Sequence, residues 1–92
     1  MDHTYNFYKG LCYLQLNRFD EAEKLFEEYV NEMYKKMAKK WVHPTALFYY
    51  GISKYEQKKY QEAIIIFDRA LNNTLIFLTQ SIINLLFRRI KQ

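Results

Sequence analysis

The chain contains 92 residues, half of them apolar, with nine tyrosines, seven phenylalanines and one tryptophan, and its net charge is +4. This length allows one domain at most and excludes a large two-lobed enzyme, because so short a chain buries only about 60% of its surface. The high apolar content, with only two glycines and one proline, also excludes a disordered chain.

The first half of the sequence predicts two helices. The first helix, about 4–16, has apolar side chains on more than one face, which indicates contact from two sides. A short polar turn at 17–18 separates it from a long second helix, which begins near Asp20 and ends near Lys40 or Trp41. Acidic residues at the start of this helix and lysines at its end stabilise the helix dipole.

The second half of the sequence predicts three more helices. The His-Pro pair at 43–44 restarts the chain, because proline suits the first position of a helix and disfavours helical geometry in the residue before it. A third helix then covers about 44–57 and a fourth about 60–71. The Asn-Asn-Thr segment at 72–74 predicts a break whose last two residues are candidate N-caps, and a fifth helix covers about 75–90.

The fifth predicted helix is apolar around most of its circumference. Its most apolar run, 75–87, has 13 residues, fewer than the about 20 that a spanning helix needs, so no membrane span is predicted. The consecutive isoleucines at 64–66 occupy every side of one turn and predict that the fifth helix packs on the fourth. Apolar side chains remain after that contact, which predicts a homodimer or an obligate partner.

The second half of the chain repeats a pattern from the first half. When 7–26 is aligned with 48–67, six of the 20 positions are identical, where chance at ordinary composition gives about one. Each copy predicts one helical hairpin. Gly10 and Gly51 lie inside helices, where glycine costs roughly 1 kcal/mol relative to alanine, so they predict a contact too close for a side chain. The alanine twelve positions after each glycine is the expected facing residue.

The repeated pattern resembles the tetratricopeptide repeat family over most of residues 4–73. In that family an aromatic or large residue precedes a glycine, often with a tyrosine three, an alanine twelve and an aromatic residue sixteen positions later. The sequence departs from this pattern, because Lys54 replaces a tyrosine, Tyr29 replaces a small residue and the closing proline is absent. The distance between the two copies also exceeds the family's usual repeat of roughly 34 residues. The matching residues are Gly10, Tyr13, Ala22, Phe26, Gly51, Ala63, Phe67 and Ala70.

The resemblance implies an all-α fold, a right-handed superhelical stack of antiparallel helix hairpins with about five helices. Residues 1–92 would form a single helical-repeat domain, with repeat one at about 4–41, repeat two at about 44–72, and a capping or oligomerisation helix at about 74–90. The seven residues beyond the usual repeat length are nearly two helical turns. We place them in the longer second helix and in the junction after it.

The resemblance also implies a protein–protein interaction scaffold without catalysis or a cofactor. In the family the first helix of each pair lines a concave groove. The apolar and aromatic residues at those positions here predict a partner with an apolar or amphipathic segment, such as a helix or peptide. They disfavour the carboxylate grip for which some members use Lys and Asn. The groove-lining positions are Phe7, Leu11, Leu14, Phe48, Ile52 and Tyr55.

A second interpretation stays open at this point. The same six residues can be core, covered by the fifth helix or by a second copy of the chain. The chain would then be a structural or oligomerisation unit, for instance a fragment or terminal cap of a longer repeat protein. Two repeats and one helix fall short of the about three repeats that a stable stack normally needs.

The sequence offers little for other chemistries. His3 and His43 lie far apart in the chain with no further ligands at metal-binding spacing, and His43 is better placed as a helix start, so no metal site is predicted. Cys12 is the single cysteine, which predicts a reducing, cytoplasmic location and a buried thiol. The carboxylates of the second helix, among them Glu23, predict a solvated face. Phosphate-loop and nucleophile-elbow motifs are absent from the sequence, so we predict no enzyme.

A basic cluster at the end of the second helix raises nucleic-acid binding as a third interpretation. Lys35, Lys36, Lys39 and Lys40 share one side of a helix, and Trp41 beside them could stack on a base. A solubilising helix end that complements the dipole is the simpler interpretation, because the sequence carries no recognition-helix signature. Nucleic-acid binding is therefore not predicted.

Overall fold

The computed structural model describes residues 3–37 and 42–91, and within those ranges the chain is helical with no strand. This confirms the all-α prediction. Each of the first three helices begins and ends within a few residues of its predicted bounds, apart from the end of the second. The four helices are α1 (His3–Gln15), α2 (Phe19–Lys36), α3 (Pro44–Glu56) and α4 (Tyr60–Lys91).

The helices form two stacked hairpins. α1 packs along α2 and α3 packs along α4, while α3 also packs on α2 and so joins the hairpins; α1 touches α3 only marginally. The predicted stack of antiparallel hairpins is therefore present. The core lies where α2, α3 and α4 meet, together with the end of the junction between the hairpins. Its buried members are Val30, Val42, Ala46, Leu47, Ile66 and Ala70.

The turns inside the two hairpins have the same geometry. Asn17 and Lys58, which occupy equivalent positions in the two copies, adopt left-handed backbone angles with φ of 59° and 65°. In each turn the next residue donates its N–H to a carbonyl five residues back, Arg18 to Tyr13 at 2.9 Å and Lys59 to Lys54 at 3.0 Å. This pattern satisfies the free carbonyls at a helix end and redirects the chain.

Lys58 offers a direct test of the turn geometry. A left-handed conformation costs a side-chain-bearing residue roughly 1–2 kcal/mol, whereas glycine adopts it freely. We expect Lys58→Gly to raise the free energy of unfolding by about 0.5–1 kcal/mol in urea denaturation. Asn17→Gly is the matched control and should gain less, because asparagine tolerates this region. Destabilisation by Lys58→Gly would contradict the assigned turn.

The two helical glycines occupy equivalent surroundings, as predicted. A Cβ atom added at Gly10 would lie 2.8 Å from the ring of Phe26, and one at Gly51 would lie 2.5 Å from the ring of Phe67. The close neighbour is therefore the aromatic residue sixteen positions later and not the alanine at twelve, which corrects the expected partner. An aromatic ring lying on bare backbone explains why glycine is required at these positions.

The predicted break at 72–74 is wrong, because α4 continues through it as one helix of 32 residues. The polar side chains there find partners without breaking the helix. Asn73 Nδ2 donates to the carbonyl of Val42 at 2.8 Å, and Thr74 Oγ1 donates to the carbonyl of Ala70 at 2.9 Å. There is thus no separate fifth helix to pack on the fourth, and Ile64 and Ile65 are exposed whereas Ile66 is buried.

Asn73 ties the junction between the hairpins to α4, and its removal has a measurable cost. Asn73→Ala would leave the carbonyl of Val42 without its partner in a buried place, which costs about 1–3 kcal/mol. We expect that loss in thermal or urea unfolding. Asn72→Ala, at the exposed neighbouring position, should change stability by less than about 0.5 kcal/mol. Equal effects of the two substitutions would contradict the role of Asn73.

The second helix ends earlier than predicted, at Lys36 instead of near residue 40. Val42 explains the difference, because its side chain is 1% exposed and the chain has to leave the helix axis to bring it into the core. The predicted continuation through Lys39, Lys40 and Trp41 lies outside the described residues.

Candidate interaction groove

An open groove lies between α3 and the middle of α4. Its volume is about 530 Å³. The walls are mainly apolar, and Phe48, which is 52% exposed, projects into it from α3. We call this feature the α3–α4 groove; its lining residues are Pro44, Thr45, Phe48, Tyr49, Phe67, Ala70, Leu71 and Thr74.

The equivalent surface of the first hairpin is covered by α3. There the rings of Phe7 and Phe26 lie 5.7 Å apart at 55°, and Tyr49 of α3 packs against both, 6.0 Å from Phe7 and 6.3 Å from Phe26. In the second hairpin the rings of Phe48 and Phe67 lie 5.7 Å apart at 48°. The α3–α4 groove of the second hairpin is therefore equivalent to the surface of the first hairpin on which α3 packs. In the second hairpin no helix covers this surface.

The six residues predicted to line one concave groove fall into separate places. Phe7 is half-buried and packs against Phe26, Tyr29 and Tyr49. Phe48 belongs to the α3–α4 groove. Tyr55 is exposed and contacts the ring of Tyr60, at 5.4 Å between centroids.

Two of those six residues share a second depression. Leu14 and Ile52 line a smaller, mostly polar hollow together with Gln15, Asn17, Phe19 and Glu56. Leu11 is half-buried on α1. The structure thus places these six residues in several separate surroundings, and binding of a partner by them stays a prediction.

Sequence reasoning named Phe67 and Ala70 only as residues of the repeat motif, and it missed Leu71 and Thr74, the other two residues that α4 contributes to the α3–α4 groove. Leu71 is 60% exposed, although its counterpart one repeat earlier, Val30, is 2% exposed. Ala70 stands where the first repeat has Tyr29, which leaves room beside Phe48. The exchange of Tyr29 for Ala70 is visible in the family motif, and aligning α2 with α4 beyond the motif would have identified Leu71 as well.

A polar cluster centred on Lys54 lies on the other side of α3. Its ammonium group bonds Glu23 of α2 at 3.2 Å and Glu62 of α4 at 3.1 Å, and its side chain is 8% exposed. Glu23 also accepts from Gln57 at 2.6 Å and from Lys59 at 3.0 Å. The cluster joins the two hairpins, and Glu23 is thus not part of a solvated face, contrary to expectation.

The pKa values of this cluster follow from its contacts. Burial alone raises the pKa of Glu23, but hydrogen bonds from Lys59, Gln57 and Lys54 outweigh it, so the pKa is lowered. Burial alone lowers the pKa of Lys54, but its bonds to Glu62 and Glu23 outweigh it and the pKa is raised. Both groups are held in their charged forms, as expected for a paired and hydrogen-bonded site.

Three further candidates from the sequence have ordinary structural surroundings. Cys12 is exposed, which corrects the prediction of a buried thiol. His43 is the N-cap of α3, and its Nδ1 accepts from the N–H of Thr45 at 3.1 Å. Lys35 bonds Glu32 at 3.5 Å and is the only member of the basic cluster besides Lys36 within the described ranges. Those ranges contain no group of three or more His, Cys, Asp or Glu side chains arranged to hold a metal.

The C-terminal part of α4, residues 75–91, extends beyond the packed hairpins, and we call it the α4 tail. Its large apolar side chains are exposed, and at about 1.5 Å per residue the whole helix is about 48 Å long, close to the 52 Å length of the molecule. The exposed apolar side chains of the tail are Leu75, Ile76, Phe77, Leu78, Ile82, Ile83, Leu85, Leu86, Phe87 and Ile90.

By length and composition, the segment Tyr60–Ile90 of α4 can also cross a membrane. Only 11% of its apolar 18-residue stretch is buried. The segment includes Ala70 and Asn73, which are buried in the packed hairpins. The part outside, 75–90, is about 24 Å long, shorter than the about 30 Å of a hydrocarbon core. That the chain has no membrane span stays a prediction.

Comparison with known proteins agrees with the repeat geometry. Two family models described as tetratricopeptide repeat match the chain, one over residues 1–38 and the other over residues 45–73. The chain belongs to the tetratricopeptide repeat family. No curated protein and no solved structure matches it. Tetratricopeptide repeat domains are generally protein-interaction scaffolds and are typically non-catalytic.

Proposed function

We propose that this tetratricopeptide repeat protein is a protein-interaction module that receives a helix in the α3–α4 groove, without a catalytic step. The observation that carries the proposal is the pair of phenylalanine rings at 5.7 Å in each hairpin. In the first hairpin that pair holds a helix, and in the second it is open. An exposed apolar groove of this kind is characteristic of an interaction site.

The contact between α3 and the first hairpin indicates which side chains a partner helix needs. α3 presents the ring of Tyr49 to Phe7 and Phe26, and its buried neighbours Ala46 and Leu47 close the contact. A partner helix for the α3–α4 groove is therefore amphipathic, with an aromatic side chain as its main anchor. Such helix-in-groove recognition uses side chains spaced three and four residues apart.

The test measures binding of a pre-formed helix. The probe is a fluorescent peptide with residues 44–56 of this chain, stapled on its outward face. It carries Lys54→Leu, because α4 has Ile64 where the first hairpin has Glu23, the partner of Lys54. Binding is followed by fluorescence anisotropy. We expect micromolar affinity and a loss of about tenfold or more in Phe48→Glu, because that change places a charge in the groove. The variant should stay folded, since Phe48 is half-exposed.

Tyr55→Glu is the matched control. Tyr55 is as exposed as Phe48 and lies on the same helix but outside the α3–α4 groove. Its substitution should leave binding of the probe unchanged. Equal losses in both variants would favour the groove predicted from the family positions, and no binding to the unmodified chain would contradict the proposed function.

A second candidate function is oligomerisation through the α4 tail, and the exposed apolar side chains of the tail favour it. Soluble proteins seldom leave so large an apolar surface uncovered, and a homodimer with paired tails would bury it. Substituting Ile82 and Leu86 together by lysine should then abolish the dimer in sedimentation. A cytoplasmic location fits either candidate, since a single exposed thiol needs no oxidising compartment.

A further inference from the structure

We propose that the helix received by the α3–α4 groove is α1 of a second copy of this chain, so that the protein stacks head to tail. This inference rests on the proposed function of the groove. It commits to one occupant because the exposed face of α1 and the groove are matched to each other, position by position.

The exposed face of α1 corresponds to the face by which α3 docks inside the chain. Tyr8 is the counterpart of Tyr49, and it stands at the same edge-on angle to the preceding phenylalanine, 69° at 5.9 Å against 74° at 6.2 Å. Tyr8 is 61% exposed, whereas Tyr49 is half-buried against the first hairpin. We call this surface the α1 docking face; it comprises Tyr5, Tyr8, Lys9, Cys12, Tyr13 and Leu16.

The first matched change concerns size. Inside the chain, small Ala46 of α3 is a buried member of the core cluster, and large Tyr29 of α2 packs against that cluster. At the proposed contact the counterparts are large Tyr5, which is exposed on α1, and small Ala70, which lines the α3–α4 groove. The large and the small residue have changed sides, so the total side-chain volume at the contact is kept, as close packing requires.

The second matched change concerns polarity. Inside the chain, Glu23 of α2 bonds Lys54 of α3 and Gln57, the residue that follows α3. The counterpart of Glu23 is Ile64, an apolar residue that is 53% exposed on α4. The counterparts of Lys54 and Gln57 are Tyr13 and Leu16, which are aromatic and apolar. A buried ionic contact is thus replaced on both sides by apolar side chains, which avoids an unpaired charge.

The third matched change concerns charge. Glu23 of α2 bonds Lys54 of α3 at 3.2 Å, and Glu27 and Tyr50 lie one helical turn further along the two antiparallel helices, so Glu27 lies opposite Tyr50. The counterpart of Tyr50 is Lys9 on α1, and the counterpart of Glu27 is Asp68 on α4. Both counterparts are exposed and carry opposite charges, so they would attract each other across the contact.

Head-to-tail docking has a specific consequence for the assembly. The contact joins two different surfaces, so every bound copy offers a new groove and a new α1 docking face. The assembly therefore continues the repeat stack from chain to chain, and its mean mass rises with concentration. A two-fold dimer through the α4 tail would instead stop at two copies.

A mixing experiment tests this arrangement in the full chain. Tyr8→Glu blocks the α1 docking face and Phe48→Glu blocks the α3–α4 groove, with Leu71→Glu as a second groove variant at an exposed position. Each variant should be a monomer in analytical ultracentrifugation while circular dichroism shows it folded. An equimolar mixture should form a dimer and nothing larger, because one intact face and one intact groove remain.

A charge exchange provides an independent measurement on the same contact. Lys9→Glu should weaken assembly of the full chain, and combining Lys9→Glu with Asp68→Lys should restore it, since opposite charges again face each other. Failure of the combined variant to restore assembly would count against the assigned register of the two helices.

Two results would overturn the inference, and they are distinguishable from failure of the proposed function. If the mixture stays monomeric while the stapled helix still binds the groove, a second copy is excluded and the helix-receiving groove stands. If each variant alone still dimerises, another surface such as the α4 tail carries the association.

Discussion

Replacing Phe26 by alanine should lower the free energy of unfolding by about 3–5 kcal/mol, the largest effect that we expect from a single substitution in this chain. The Phe26 side chain has no exposed surface, lies against the backbone of Gly10, and packs with the rings of Phe7 and Tyr49. Its loss leaves a cavity at the contact between the hairpins, which the surrounding helices cannot fill. Urea unfolding followed by circular dichroism measures the change.

Phe67→Ala is the matched control, because Phe67 has the same neighbours one repeat later but lines the open groove. We expect Phe67→Ala to lower the free energy of unfolding by about 1–2 kcal/mol, since the Phe67 ring is only partly buried in the free chain. Equal losses at the two positions would show that the second ring pair is covered as well. That result would contradict an open α3–α4 groove in the free protein.

Replacing Lys54 by methionine should lower the free energy of unfolding by about 2–3 kcal/mol at pH 7. The change removes the ammonium group between Glu23 and Glu62 and leaves Glu23, which is 14% exposed, with fewer partners for its charge. A double-mutant cycle with Glu23→Gln isolates the pair from the other contacts of each side chain. A coupling free energy near zero would contradict a bond between the two hairpins at this point.

Lys59→Met serves as the exposed control for the same cluster. Lys59 also bonds Glu23, but its side chain is 41% exposed, so solvent screens the pair. The expected loss is less than about 1 kcal/mol.

The pH dependence of stability follows from the same contacts. The lowered pKa of Glu23 means that its contribution is present above its ordinary value of 4.5 and is lost as the pH falls through the folded-state pKa below it. The raised pKa of Lys54 means that its contribution is present below its ordinary value of 10.5 and is lost as the pH rises above it. In Lys54→Met, the free energy of unfolding should therefore fall less at alkaline pH than it does in the unmodified chain.

The repeat, the helical hairpins and the special role of the two glycines could be predicted from the sequence. Their signals are local and appear twice, because the same motif is required at Gly10 and Gly51. The break predicted at 72–74 failed for the opposite reason. Asparagine and threonine favour turns by bonding to nearby backbone, yet here Asn73 bonds to a carbonyl 31 residues earlier in the chain.

The candidate site was only partly predictable. Phe48 was identified from the family positions, but the other wall of the α3–α4 groove comes from α4. Sequence alone does not distinguish an apolar residue of α4 that is buried from one that is exposed. Lys54 was noted as a departure from the family pattern, but its partner Glu23 lies 31 residues away on another helix. Pairings between distant elements are visible only when the helices are placed against each other.

The most direct measurement of the central claim is hydrogen–deuterium exchange of the full chain with and without the stapled 44–56 helix. We predict added protection at the first turns of α3 and in the middle of α4, around Ala70 and Leu71, with little change near Leu14 and Ile52. Protection at the Leu14 and Ile52 hollow instead, or no change in α4, would contradict the assignment of the α3–α4 groove as the site that receives a helix.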